Sequence, residues 1–366
     1  LVDEGFARGR SQMDHRQEHV AIERPRLDRF DHFPDALLDV PAAELWRHLA
    51  GPTLFYLPGR HEQPLFVSVL LHGNEDTGWR AMQAVLRRHR GMPLPRALIL
   101  FVGNVAAAKA LVRTLPTQAD YNRCWPGTQH PAAPEAHLMR EVIEIVARHR
   151  PFASIDIHNN TGKNPHYACV NRLDDCHLHL ARLFGRTVVY FNRPQGVQSA
   201  ALAEFCPAVT IECGRVGGLA GVEQAADFVW SALSLSQFPS HPVPEGDLDL
   251  LRTFAIVKIP PDATFSYDDS DADFRLRGDL DHLNFSELES GASFGCLGGS
   301  RTRHLEVVAG GDFAVAGRYF DYVGHEIRLS QRAIPAMLTV EAQAVRLDCL
   351  GYLMHRIGRN GTRIAD

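Results

Sequence analysis

Four short stretches of this chain gather side chains that bind metals, move protons or hold anions. The first is Leu70-Leu-His72-Gly-Asn-Glu75-Asp. An imidazole and a carboxylate three residues apart across a turn can aim at one point, and zinc accepts both at about 2.0–2.2 Å. The second is Ser154-Ile-Asp-Ile-His158-Asn-Asn-Thr161. Taken alone, His158 reads as a structural histidine. With His72 and Glu75 it completes two histidines and a glutamate, a set that leaves a catalytic zinc one open position for water. The third is Val209-Thr-Ile-Glu212-Cys-Gly-Arg215. A glutamate in an apolar β-branched run needs a partner or a task, as a salt-bridged core acid or as a general base beside a metal-activated water. Cys213 should face the other way along the strand, into the core. The fourth runs from Asn104 through Arg113 to Asp120-Tyr-Asn122-Arg123. Asn122 and Arg123 set two donor groups side by side, suited to capturing a carboxylate, and Asp120 could orient an imidazole. The plain alternative for this stretch is a polar surface loop.

These residues need elements to position them. Strands are predicted at 53–57, 65–71, 97–102, 154–157, 187–191 and 208–211. Helices are predicted at 77–89, 135–148, 176–184 and 221–235, with a short one at 41–49. Residues 58–64 read as a hairpin or tight connection. His72, His158 and Glu212 all fall at strand ends, where side chains from separate strands converge in open α/β sheets. Strands apolar on both faces and interleaved with helices predict an α/β layer with helices on each side. His177 and His179 are expected on a helix surface, and Gly217-Gly218 in a turn. After the proline-rich stretch 239–246 the texture shifts to short β-like runs punctuated by glycine. The expected division is a polar leader over 1–40, surface-lying or mobile, a hydrolase domain over 41–240, and a smaller, mainly β domain over 245–366.

Composition bounds the rest. The chain has 366 residues, 38 Lys+Arg against 43 Asp+Glu, a net charge of −5 and 45% hydrophobic residues. That excludes disorder and a small disulfide scaffold, and with a pI near 6.4 a nucleic-acid partner is not expected. Of the basic residues 35 are arginine, so arginine as a type carries no functional information here. Seven cysteines without a C-x-x-C pair fit reduced thiols and a cytoplasmic setting. No apolar run approaches the roughly 18 residues of a membrane span. Residues 245–290 hold twelve acids against four basic residues, read as solvated turns or as a negative rim near the site.

In order, H-G-N-E at 72–75, D-x-N-R at 120–123, D-I-H-N at 156–159 and E-C-G at 212–214 resemble the succinylglutamate desuccinylase/aspartoacylase family, the deacylase branch of the zinc carboxypeptidase clan. The resemblance spans about residues 65–235. It implies a carboxypeptidase-like mixed sheet flanked by helices, with one Zn2+ per chain held by His72, Glu75 and His158. It implies Glu212 as general base, Arg113 as the group that polarises the scissile carbonyl, Asn122 and Arg123 as a carboxylate clamp, and Asp120 behind the first zinc histidine. The C-terminal domain would narrow the pocket and supply a tyrosine, for which Tyr267, Tyr319 and Tyr322 are candidates. Thr114 stands where that family has a tyrosine. The implied activity is hydrolysis of the amide bond of a small carboxylate-bearing N-acyl amino acid. A metallocarboxypeptidase or peptide amidase acting on short peptides is the alternative, and a zinc- or ligand-binding homologue without catalysis a more distant one. The expected partner is a small amide or short peptide, without nucleic acid or membrane; a homo-oligomer is left open.

Overall fold

The computed structural model describes residues 25–364 apart from 269, 300–302, 310–311 and 315–317. Residues 1–24 of the expected leader lie outside the described residues. From Asp28 the chain is ordered into strand β1 (Asp28–Phe30), followed by β2 (Thr53–Leu57) and β3 (Gly59–Val69). Helix α1 (Thr77–Arg88), strand β4 (Leu94–Val102), and helices α2 (Val105–Ala110) and α3 (Pro134–Arg148) come next. Then follow β5 (Ala153–Asn160), β6 (Tyr167–Val170), α4 (Asp175–Phe184), β7 (Thr187–Tyr190), α5 (Gln198–Leu202), β8 (Ala208–Arg215), α6 (Leu219–Ser234) and β9 (Asp249–Lys258). The short helix expected at 41–49 is a 3-10 helix over Ala42–Arg47.

The large sheet runs β1-β2-β4-β3-β5-β8-β6-β7-β9 and continues into C-terminal strands. Residues 58–64 do not form a hairpin. Most of them belong to β3, and β4 lies between β2 and β3, antiparallel to one and parallel to the other. The reason is hydrophobic. Leu65–Val69 and Ala97–Val102 are buried throughout, and only a central position covers both faces of such strands. Helices α1, α4 and α6 close one face with Trp79, Leu178 and Phe228, while α3 and α5 close the other with Met139, Val142 and Leu202.

Beyond residue 260 the chain forms β10 (Phe265–Ser266), β11 (Phe274–Leu276), β12 (Ser293–Leu297), β13 (Glu306–Ala309), β14 (Asp312–Ala314), β15 (Phe320–Val323), β16 (Glu326–Leu329) and β17 (Ile334–Ala336). Helix α7 (Ala342–Leu347) and strand β18 (Gly351–Arg356) end it. Five of these strands make a separate small sheet, β10-β11-β12-β16-β15, over a core that includes Phe274, Phe294 and Phe320. Strands β13 and β18 instead pair with β9, so this part of the chain is stitched to the large sheet by backbone hydrogen bonds. Among the described residues, no helix is long and apolar enough to cross a membrane.

Candidate active site

Strands β3, β5 and β8 are parallel neighbours, and the chemistry sits at their carboxyl ends. The chain leaves β3 through Leu70, which takes a left-handed φ of 55°, and turns into His72 and Glu75. Gly73 between them is required by packing: a Cβ there would lie 2.2 Å from the Ala107 carbonyl carbon. His158 lies on β5 and Glu212 on β8 as direct register partners, so both side chains project from the same face of the sheet. Cys213 points the opposite way into the core, as the alternation requires.

His72, Glu75 and His158 are buried, and their ligand atoms lie within 4.8 Å of one another. The two carboxylate oxygens of Glu75 are shared out, one 2.7 Å from His72 Nδ1 and the other 2.8 Å from His158 Nδ1. The Asn159 backbone N–H donates to the second oxygen at 3.1 Å. Each imidazole is held from behind: His72 Nε2 lies 3.1 Å from Asp120 Oδ1, and His158 Nε2 lies 2.8 Å from Asp156 Oδ2. Such backing carboxylates fix ring orientation and raise ligand basicity. Ser68 Oγ donates to the other Asp156 oxygen at 2.7 Å. The cluster has the donor types and convergence to hold a divalent metal ion.

Burial alone would push the Glu75 carboxyl up, but the facing His72 and His158 outweigh it and hold it well below the usual range. Burial likewise opposes the charge of His158, yet Asp156 and Glu75 raise its proton affinity well above the ordinary value. Glu212 behaves in the opposite sense to Glu75. Burial pushes its carboxyl up to about 8, with His158 opposing and Glu75 adding to the rise. Asn160 Nδ2 donates a long hydrogen bond to it at 3.4 Å. Two neighbouring carboxylates in different environments thus differ in their readiness to take a proton, the pattern that separates a ligand from a base.

The fourth motif comes to the same place. Asp120 caps a short 3-10 turn, Tyr121–Arg123, by accepting from the Asn122 N–H at 2.8 Å. Its other oxygen takes Nε and NH2 of Arg113 at 3.0 and 2.8 Å. Arg113 NH1 lies 3.9 Å from Glu75 Oε1, so this guanidinium borders the metal-type cluster. Asn122 Nδ2 approaches Asp156 at 3.3 Å and His158 Nε2 at 3.1 Å, while its Oδ1 accepts from the Gln198 N–H. Arg123 reaches past it to the Asp348 carboxylate.

All eight residues singled out from the sequence therefore gather at one site, and all but Asp120 line a cavity of about 110 Å³. The C-terminal part contributes Met337, Asp348, Tyr352 and Met354 to its wall. The expected tyrosines do not line it. The Tyr267 hydroxyl donates to the Thr339 carbonyl, the Tyr322 hydroxyl accepts from the Leu305 N–H, and Tyr319 packs in the small-sheet core. Tyr167 and Tyr352 line it instead, because β6 and β18 flank the site while the small sheet lies away from it. His177 is buried rather than on the surface, its Nδ1 2.8 Å from the Asp174 carboxylate at the start of α4. His179 Nε2 donates to the His241 carbonyl at 2.7 Å, and neither histidine joins the site. Sequence reasoning also missed Asp156 and Asp348. Asp156 had a readable signal, since it lies two residues before His158 and so on the same strand face. Asp348 had none.

Fold and site define a mixed α/β protein with a metal-type cluster at the carboxyl ends of parallel strands. Residues 63–235 match the family model of the succinylglutamate desuccinylase/aspartoacylase catalytic domain. No curated protein matches the chain in sequence. Among solved structures, the chain is similar to the succinylglutamate desuccinylase of Chromobacterium violaceum at 17% identity, with 82% of this chain and 86% of that one covered and a TM-score of 0.53. It is similar to murine aminoacylase 3 at 16% identity, with 81% and 96% covered and a TM-score of 0.56. A succinylglutamate desuccinylase/aspartoacylase from Rhodobacter sphaeroides aligns at 14% identity, 82% and 88% coverage and a TM-score of 0.54. At these identities the likeness speaks to the fold.

Proposed function

We propose that this chain is a zinc-dependent hydrolase that cleaves the amide bond of a small carboxylate-bearing N-acyl amino acid or a related amide. The observation that carries the reading is the register of β5 against β8, which sets a proton-accepting Glu212 beside the His72–Glu75–His158 cluster. Two imidazole nitrogens and a carboxylate, each imidazole backed by a further carboxylate, suit zinc. When bound there, zinc supplies Lewis-acid polarisation of a carbonyl and lowers the pKa of a water molecule toward 7.

The chain's own groups do the remainder. Glu212, the register partner of His158, takes a proton from the attacking water and delivers it to the departing nitrogen. Arg113 stabilises negative charge developing on the carbonyl oxygen. Asn122 and Arg123 orient the end of the substrate away from the scissile bond. Asp120 and Asp156 keep the imidazoles in register. In this reading residues 41–240 form the hydrolase domain, and 245–366 the part that shapes the entrance. The names of the family and of aminoacylase 3 point the same way. Seven free cysteines support a reducing, cytoplasmic setting. The test is Glu212→Gln in zinc-loaded protein against a panel of N-acyl amino acids. Turnover should vanish while zinc stays bound, and full activity in that variant overturns the assignment.

A further inference from the structure

The Arg123 guanidinium already holds a carboxylate, and that carboxylate belongs to this chain. Asp348, at the turn that follows α7, places its oxygens 3.1 and 3.0 Å from Arg123 NH2. One of the same oxygens lies 3.8 Å from Arg113 NH2, and Arg113 is itself turned onto Asp120. Two guanidiniums and two carboxylates thus form a charge-balanced quartet, of which Arg113, Arg123 and Asp348 line the cavity and Asp120 lies behind it. Arg123 NH1 is also engaged, donating to the Asn122 carbonyl at 2.9 Å. Burial would favour a protonated Asp348, but Arg123 and then Arg113 keep its carboxyl below the ordinary range, so at neutral pH it is an anion.

Asp348 is delivered to this point by built structure. The loop after His158 docks on the strand leading to α7: Asn164 Oδ1 accepts from the Met337 N–H at 2.9 Å, and Gly162 lies so close that a Cβ would come within 2.0 Å of the Leu338 carbonyl oxygen. Asn284 bridges both the N–H and the carbonyl of Leu338. On the other side, β18 is fixed to β9. The Asp348 side chain, 29% exposed, is held at the boundary between cavity and solvent.

We propose that Asp348 is a specificity-determining residue: its carboxylate fills the anion subsite at Arg123, so that a substrate carboxylate binds there only by exchange, and the site favours amides that present an uncharged hydrogen-bonding group at that position. This rests on the reading of Arg123 as the clamp that faces the substrate. A second carboxylate on the same guanidinium would sit within a few ångströms of the first, where like charges repel strongly away from bulk water. Exchange is also unfavourable because the resident competitor is tethered, at an effective concentration on the order of millimolar or above. An arginine left without a partner would reward a carboxylate over a carboxamide; the pair with Asp348 removes that reward.

The experiment compares N-acetylleucine with N-acetylleucinamide, titrated by calorimetry into the zinc-loaded full chain carrying Glu212→Gln, with and without Asp348→Asn. The ratio of carboxylate to carboxamide affinity should rise at least threefold in the Asp348→Asn protein. A smaller change, a fall, or no carboxylate binding by that variant overturns the proposal; equal weakening of both probes is what a merely structural strut would give. If Asp348→Asn does not fold, the parent protein decides: it must bind the carboxylate no more than threefold tighter than the carboxamide, and a larger preference overturns the proposal. Adding Arg123→Gln to the Asp348→Asn protein separates the two levels. Loss of the gained carboxylate affinity locates it at Arg123. Its retention means that Arg123 is not the anion subsite, so the clamp reading fails with the proposal, while the Glu212 test stands apart.

Discussion

The metal corner and the arginine corner of one cavity are assembled in opposite ways. His72, Glu75, His158 and Glu212 come from the ends of three adjacent parallel strands, and the carboxylates that steady the two imidazoles lie nearby, Asp156 on β5 and Asp120 on a loop that packs over it. The arginine corner is closed from 225 residues downstream, by Asp348. One corner is therefore a property of the sheet. The other exists only because the C-terminal part folds against it, and in the reading proposed above the first supplies the chemistry and the second its selectivity.

Substitutions that strike each corner should show the contrast, beginning with the metal corner. His158→Ala should strip bound zinc and all hydrolysis with it, read as metal content after desalting. Glu212→Gln should retain zinc and lower kcat by about 10²–10⁴, the range for loss of a positioned general base. Asp156→Asn should lower zinc affinity by about 10–100-fold in a chelator competition, since it loosens His158 without removing a ligand. In the arginine corner, Asp348→Asn should change carboxylate selectivity at least threefold and leave the zinc content of the protein intact.

The smallest expected effect is on stability and has a defined pH sense. Asp348 binds its proton less tightly folded than unfolded, so its contribution is fully present above the ordinary value of 3.8 and is lost as pH falls through the lower folded value. Asp348→Asn should thus melt a few degrees below the parent at pH 7, with the gap closing in strong acid. A gap that instead widens as the pH falls would mean that the ion pair with Arg123 is not what Asp348 contributes.

Much of the catalytic side was legible because it obeys local rules. Apolar runs such as Leu65–Leu71 and Ala208–Ile211 read as buried strands, and a polar residue just past such a run falls at the strand's carboxyl end. The motif order then led to the family, and the structure gathers all eight named residues. The errors share one cause. The 58–64 hairpin, the surface placement of His177 and the three candidate tyrosines each required knowing which elements are neighbours. Residues 58–64 extend a strand separated from β2 by β4, His177 turns toward the core beneath α4, and the small sheet that carries two of the tyrosines does not reach the cavity.

By itself the sequence pointed to His72, Glu75, His158 and Glu212 as one candidate cluster and to the strands that carry them, because two-residue periodicity and strand-end position are local properties of a chain. Tertiary structure alone decided that Glu75 stays ionised while Glu212 holds its proton more readily, since burial and neighbouring charge depend on what packs around each carboxylate. It alone decided that Arg123 meets Asp348. Coulomb attraction acts through space, and no spacing along the chain could announce a partner brought in by the docking of its far end.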